Sequence, residues 1–182
     1  MVNIVAFTGP KGAGKDTASE SLIDNGYVLL KFADPLKDML RTFLQHWGET
    51  GENIERMIEG DLKEVPHEAF GGRTTRHAMQ TLGTEWGRML ISPYIWTNVF
   101  KRRANREERV VVTDMRFLNE TAAVKEVDDC AVLVRIVRSE RDGPTDDMHP
   151  SEVEQWSLPV HHVVHNLGTI EELKQQIQDL PV

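Results

Sequence analysis

At 182 residues the chain is long enough for one domain that buries about 70% of its unfolded surface, and too short for two of comfortable size. Its 29 acidic residues against 21 basic ones, a net charge of −8, argue against nucleic acid or another polyanion as a partner. The apolar runs fall far short of the roughly 20 residues a membrane helix needs, and the single cysteine, Cys130, excludes an internal disulfide.

The first apolar run, Asn3 to Thr8, reads as a strand and leads into Gly9-Pro10-Lys11-Gly12-Ala13-Gly14-Lys15-Asp16-Thr17, after which a helical pattern begins. Strand, glycine-rich turn, lysine and helix in that order make a phosphate-binding loop. Its backbone N–H groups turn inward, the helix start adds partial positive charge, and Lys15 adds a full charge against the β and γ phosphates of a nucleoside triphosphate. Residues 11–17 are the expected triphosphate-binding set. The usual loop has Ser or Thr directly after the lysine to reach Mg²⁺; here Asp16 holds that place and Thr17 follows. Asp16 either acts on the metal through water or favours the helix start as a first-turn acid.

The first helix is expected to end near Asn25-Gly26, where glycine suits a C-terminal cap. A second strand, Tyr27 to Phe32, precedes a helix that opens at Asp34-Pro35 and runs to about Trp47. The segment from Gly60 to Gly72 is the most irregular, and mobility is expected there. Helices follow over 74–91 and 93–106, the second opened by Ser92-Pro93. In the first of these, Ala78, Leu82, Trp86 and Leu90 share a face that packs on the core at helical spacing. Arg76 and Gln80 form a separate polar stripe. A guanidinium clamps a phosphate by two parallel bonds and an amide reads a base edge; otherwise the pair is an exposed helix surface. The basic cluster Lys101, Arg102, Arg103 and Arg106 reads as a solvated helix end.

A third strand, Arg109 to Thr113, ends at Asp114, which places a carboxylate at the sheet edge near the loop. Such an aspartate either holds Mg²⁺, directly or through water, or caps the next turn. Arg116 follows, able to touch phosphate or pair with Asp114. After the fourth strand, Ala131 to Val137, Arg138 and Arg141 enter a turn-rich stretch that reads either as a lid over the transferring phosphoryl group or as a plain exposed turn. Arg135 lies deeper in the strand, and Cys130 is expected to be packed. The fifth strand, Val160 to His165, carries His161, His162 and His165. On a strand these face opposite sides and do not converge on a metal. Thr169-Ile170-Glu171-Glu172 is a capping box that opens the last helix, which runs to about Leu180.

Strands alternating with helices imply parallel pairing, right-handed crossovers and a three-layer α/β fold, with ligands at the carboxyl ends of the strands. The expectation is a single domain over 1–182: a five-stranded parallel sheet with flanking helices, a helical insert over 33–106 and a small lid over 138–150.

Several stretches together resemble the phage deoxynucleoside monophosphate kinases, relatives of adenylate kinase. They are Gly-Ala-Gly-Lys-Asp-Thr (12–17), Phe-Ala-Asp-Pro-Leu-Lys (32–37), Gln-Thr-Leu-Gly-Thr-Glu-Trp-Gly-Arg (80–88), Thr-Asp-Met-Arg-Phe-Leu-Asn-Glu (113–120), His-Pro-Ser-Glu (149–152) and Asn-Leu-Gly-Thr-Ile-Glu-Glu-Leu (166–173). The resemblance implies the P-loop kinase fold, transfer of the γ-phosphoryl of ATP to a deoxynucleoside monophosphate, and a requirement for Mg²⁺. It also implies that Arg76 and nearby Arg73 hold the acceptor phosphate. From the residues themselves, Lys15, Asp114, Arg138 and Arg141 are the expected catalytic residues, with Asp16, Thr17 and Asp114 toward the metal. Lys37, Arg73, Arg76, Gln80, Arg116 and Glu152 are the residues expected around the acceptor monophosphate. No N-terminal run resembles a secretion signal, so the expected location is the cytoplasm, that of the host if the gene is a phage's. The sequence leaves a homodimer open. The competing readings are another small-molecule kinase of this scaffold, of the dephospho-coenzyme A or phosphomevalonate type, and a nucleotide switch. The switch reading lacks an Asp-x-x-Gly segment and an Asn-Lys-x-Asp reader.

Overall fold

The computed structural model describes residues 2–139, 143 and 153–181. In chain order their elements are β1 (Asn3–Thr8), α1 (Lys15–Ile23), β2 (Val28–Leu29), α2 (Asp34–Trp47), α3 (Gly51–Ile58), β3 (Pro66–His67), β4 (Arg73–Thr74), α4 (Thr75–Thr81), a π-helix (Leu82–Ile91), α5 (Ile95–Ala104), β5 (Arg109–Val112), α6 (Leu118–Val127), β6 (Val132–Val137), β7 (His162–His165) and α7 (Ile170–Gln178). The chain divides into two compact units, one of residues 1–32 and 97–182, the other of residues 33–96.

The first unit is built on a five-stranded sheet in the order β2-β5-β1-β6-β7, every pair parallel. Its central strand shows why the sequence folds this way. Ile4 and Ala6 project into one core with Val110, Val112 and Leu133, while Val5 and Phe7 project into another with Val111, Val134 and Ile136. A strand covered on both faces must be apolar at every position, not at alternate ones. Helices supply the covers. Phe100 and Ala104 of α5 and Ala123 and Val124 of α6 fill the first core; Ala18 and Leu22 of α1 and Leu173 and Ile177 of α7 fill the second. Truncating a residue buried as fully as Phe7 to alanine costs about 3–5 kcal/mol. At the amino end of β1, the buried carboxylate of Asp128 accepts from Ile4 N–H at 2.8 Å.

The strands fall where the apolar runs place them, with shorter ends: β2 keeps only two residues of the expected Tyr27–Phe32 stretch. The capping box at the start of α7 forms in both directions, Thr169 N–H to the Glu172 carboxylate at 2.7 Å and Glu172 N–H to the Thr169 hydroxyl at 3.2 Å.

The second unit has its own core of Leu36, Leu40, Leu44, Ile54, Met57, Ile58, Met79 and Trp96. Helix α2 begins one residue earlier than its sequence signal: Ala33 is the cap and Asp34 lies in the first turn. Helix α3 was not foreseen; Thr50 caps it, its hydroxyl accepting from Asn53 N–H at 3.3 Å. The irregular 60–72 stretch contains two short 3₁₀ turns and leads through the antiparallel pair β3–β4.

The expected helix over 74–91 is half α and half π, and this corrects the proposed apolar face. Ala78 and Leu82 pack against the unit's core, but Leu90 is 76% exposed and Trp86 36% exposed. A π-helix bonds i to i+5, so the i, i+4 stripe drifts off the core beyond Leu82. Two glycines and one indole account for the change. Trp96 Nε1 donates to the Gly83 carbonyl at 2.9 Å, and a Cβ on Gly87 would lie 2.6 Å from the Trp96 ring.

Candidate active site

The phosphate loop leaves β1 at its carboxyl end. Gly9 has φ 135°, and a side chain there would collide with the Ile136 carbonyl on the neighbouring strand. Gly14, at φ 99°, is the residue before α1, and a Cβ on it would come within 2.5 Å of the Asn166 side-chain amide. Both positions need glycine because positive φ and close packing coincide. Asn166, just beyond β7, supports the loop from beneath by donating to the Ala13 carbonyl at 2.9 Å.

Lys15 opens α1 and its ammonium bridges the carbonyls of Gly9 and Pro10, each at 2.7 Å. Its pKa is lowered to about 8, first by burial and then by the positive charge of Arg116, with Lys31 adding to the effect; Asp16 and Asp114 pull the other way. Such a lysine lies among charges of both signs, and a polyanion placed against it favours its protonated form.

Asp16 is exposed, and its Oδ1 accepts from two donors, Lys31 Nζ at 2.8 Å and the Thr113 hydroxyl at 2.9 Å. Partial burial pushes its pKa up, but the Lys31 bond and charge, the Thr113 bond and Lys15 outweigh it and hold the carboxyl below its ordinary range. Asp114, two residues past β5, accepts from Phe32 N–H at 3.0 Å. Arg116 is half-buried, and its backbone is fixed by the buried carboxylate of Glu120, which accepts from Arg116 N–H at 2.7 Å and Phe117 N–H at 3.1 Å. Lys15 and Asp16 open α1, and the Thr113 bond to Asp16 sets the following Asp114 and Arg116 beside them, where all three charges act on Lys15. Lys31, Thr113 and Asn166 are additions that sequence reasoning missed. Asn166 and Thr113 lie in stretches that carried the family resemblance; Lys31 gave no local signal.

Asp16, Asp114 and Thr17 offer hard oxygen donors, the chemistry that suits Mg²⁺. Asp16 is tied at 2.9 Å to Thr113, the residue before Asp114, so both carboxylates stand beside the loop and the donor set fits a cation there.

Arg138 follows β6 and is exposed. Arg141, Glu152 and the expected lid, apart from Arg138, Ser139 and Gly143, lie outside the described residues. Arg135 is an anchor: its Nη2 donates to the carbonyls of Gln155, Trp156 and Leu158 at 3.1, 3.1 and 2.9 Å, and its guanidinium stacks 5.6 Å from the Trp156 ring centre. His161 Nδ1 accepts from Leu133 N–H at 3.1 Å. Cys130, expected to be packed, is exposed in the turn after Asp128, and the charge of Asp129 beside it raises its thiol pKa.

The remaining expected residues belong to the second unit. Lys37 is buried and donates to Glu59 at 2.7 Å. Arg76 on α4 pairs with Glu64, Arg73 is exposed on β4, and Gln80 is half-buried.

The all-parallel sheet order and the loop at the end of β1 make the three-layer α/β arrangement of P-loop kinases. TT1252 from Thermus thermophilus, a crystal structure, aligns with TM-score 0.50 and 18% identity over 97% of this chain and 95% of its own, a likeness of fold. The family model for deoxynucleotide monophosphate kinase matches residues 51–177. A protein of Acanthamoeba polyphaga mimivirus assigned as a deoxynucleotide monophosphate kinase is 32% identical over 190 positions, 96% of this chain and 93% of that protein. The deoxynucleoside-5'-monophosphate kinase of Escherichia phage T5 is 31% identical over 120 positions, 63% of this chain and 46% of its own length.

Proposed function

The chain belongs to the deoxynucleotide monophosphate kinase family and is an ATP-dependent kinase of deoxynucleoside monophosphates; we propose how its residues divide that work. The loop over 11–17 takes the triphosphate, its amides and Lys15 facing the β and γ phosphates. The observation that carries this is the placement of Lys15 at the head of α1, partly desolvated and flanked by Asp16, Asp114 and Arg116.

Asp16, Thr17 and Asp114 are the groups that would hold Mg²⁺, which when bound neutralises charge on the transferring phosphoryl group. Arg73, Arg76, Gln80 and Arg116 take the acceptor monophosphate, with Lys37 and Glu152 contributing to the nucleoside site. Arg138 and Arg141 supply positive charge to the phosphoryl group in flight. The acceptor oxygen has a pKa near 6 and is largely deprotonated at neutral pH, so positioning and charge do the work and no general base is needed. Should the described carboxylates hold the metal as proposed, Asp114 is oriented for it by the Phe32 N–H bond.

A coupled ADP-release assay across all ribo- and deoxyribonucleoside monophosphates tests the reading. Turnover is expected with deoxynucleoside monophosphates and Mg²⁺, none after chelation, and none with dephospho-coenzyme A or phosphomevalonate. Turnover restricted to one of those last acceptors would refute it. No helix among the described residues is long and apolar enough to cross a membrane.

A further inference from the structure

Most phosphate loops share their metal between a hydroxyl on the loop and an acid at the end of a neighbouring strand. This chain keeps a loop hydroxyl, Thr17, and a strand-end acid, Asp114, and adds a second pair beside them. The added acid is Asp16 on the loop, the added hydroxyl is Thr113 just past β5, and they are hydrogen-bonded at 2.9 Å. The added acid creates an electrostatic difficulty. A carboxylate one residue from the triphosphate-facing lysine repels the polyanion the loop is shaped to receive, and two like charges a few ångströms apart near a protein surface interact by several RT.

Lys31 answers this difficulty. Its ammonium lies 2.8 Å from Asp16 Oδ1, and its side chain is 20% exposed against 74% for that of Asp16. The lysine is therefore the more enclosed member of the pair, and it holds the carboxylate from the protein side. Thr113 binds the same oxygen, so both donors act on Oδ1 and fix the orientation of the carboxylate.

We propose that Lys31 is a positioning residue for the triphosphate: with Thr113 it clamps Asp16 by one oxygen and cancels its charge, so that a loop carrying an acid still accepts a polyanion. The proposal rests on reading residues 11–17 as the ATP site. Lys31 works through Asp16, without touching phosphate itself, and this makes the two residues thermodynamically coupled.

The test is a double-mutant cycle on nucleotide affinity, read by calorimetry with ATP in the presence of a chelator, so that neither turnover nor metal enters. Lys31→Met is expected to weaken ATP binding about tenfold on the native background and by less than about twofold when Asp16→Asn is already present. Lys31→Arg, which keeps the charge, is expected to restore most of the loss. Circular dichroism on each variant identifies misfolding, and Lys31→Gln serves as a second neutral variant if Lys31→Met fails to fold. Equal losses on both backgrounds would show that Lys31 acts on phosphate directly, and native affinity in folded Lys31→Met would show that it does nothing; either result overturns the proposal. No binding of ATP by the unmutated protein would instead overturn the reading of the loop.

Discussion

The Asn166 side-chain amide donates to the Ala13 carbonyl at 2.9 Å, so a residue beyond the last strand holds the floor of the phosphate loop. Removing the amide in Asn166→Ala leaves a loop carbonyl without its partner, an expected cost of about 1–2 kcal/mol. Because the lost bond is in the loop itself, ATP affinity is expected to fall with it. Denaturant unfolding and ATP titration of the same variant check both. Full nucleotide affinity in a destabilised variant would confine Asn166 to a structural role.

Lys15 is predicted to be costly for folding and necessary for chemistry. Its folded pKa, about 8, lies below its ordinary 10.5, so between those values the unfolded chain binds more protons than the folded one and stability rises with pH. Below about pH 8 the penalty is present in full; it is relieved as pH climbs toward 10.5. Lys15→Met should therefore be more stable than the native protein at pH 7, by a margin that shrinks at higher pH. Its kcat should drop by roughly 10²–10³-fold, the scale of losing one charged donor to a transition state. Denaturation curves at pH 7 and pH 9.5, with single-turnover rates, measure this. A native-like rate would refute the role of Lys15.

Arg76, on α4, pairs with Glu64. If it receives the acceptor phosphate, Arg76→Ala should raise the KM for the monophosphate by roughly ten- to a hundredfold, the loss of a charge-assisted bond or two, and leave the KM for ATP within about twofold. Steady-state kinetics with each substrate varied in turn decide it; equal rises in both would remove Arg76 from the acceptor site.

Arg135 holds three backbone carbonyls with one nitrogen. Arg135→Met keeps much of the aliphatic bulk and discards those bonds, with an expected loss of about 2–3 kcal/mol. Thermal unfolding registers it directly. A change under about 0.5 kcal/mol would mean that water replaces the guanidinium without penalty.

Gly87→Ala forces a methyl against the Trp96 ring, where the ideal Cβ position lies 2.6 Å away. Overpacking of this kind costs about 1–3 kcal/mol, and alanine also favours α over π geometry in this stretch. Near-ultraviolet circular dichroism of the four tryptophans is expected to change along with the melting temperature. An unaltered spectrum and melting temperature would show that the π-helix yields freely.

Much of the first unit was legible in the residues alone. Apolar runs such as Asn3–Thr8 announce strands covered on both faces, the glycines at 9, 12 and 14 with Lys15 announce the loop, and the Thr169–Glu172 pair announces the last helix. These signals lie within a few residues of the feature they specify, because periodicity, caps and positive-φ turns are local physics. Three outcomes were settled only when distant segments met. Asp16 acquired Lys31 and Thr113, the second of them 97 positions away, and the loop acquired Asn166 from 153 positions away. The helix after Thr74 gave way to π geometry because Trp96 needed room beside Gly83 and Gly87. A carboxylate's partner, a loop's support and an indole's resting place depend on which surfaces the folded chain presses together, and no pattern confined to neighbouring residues encodes that.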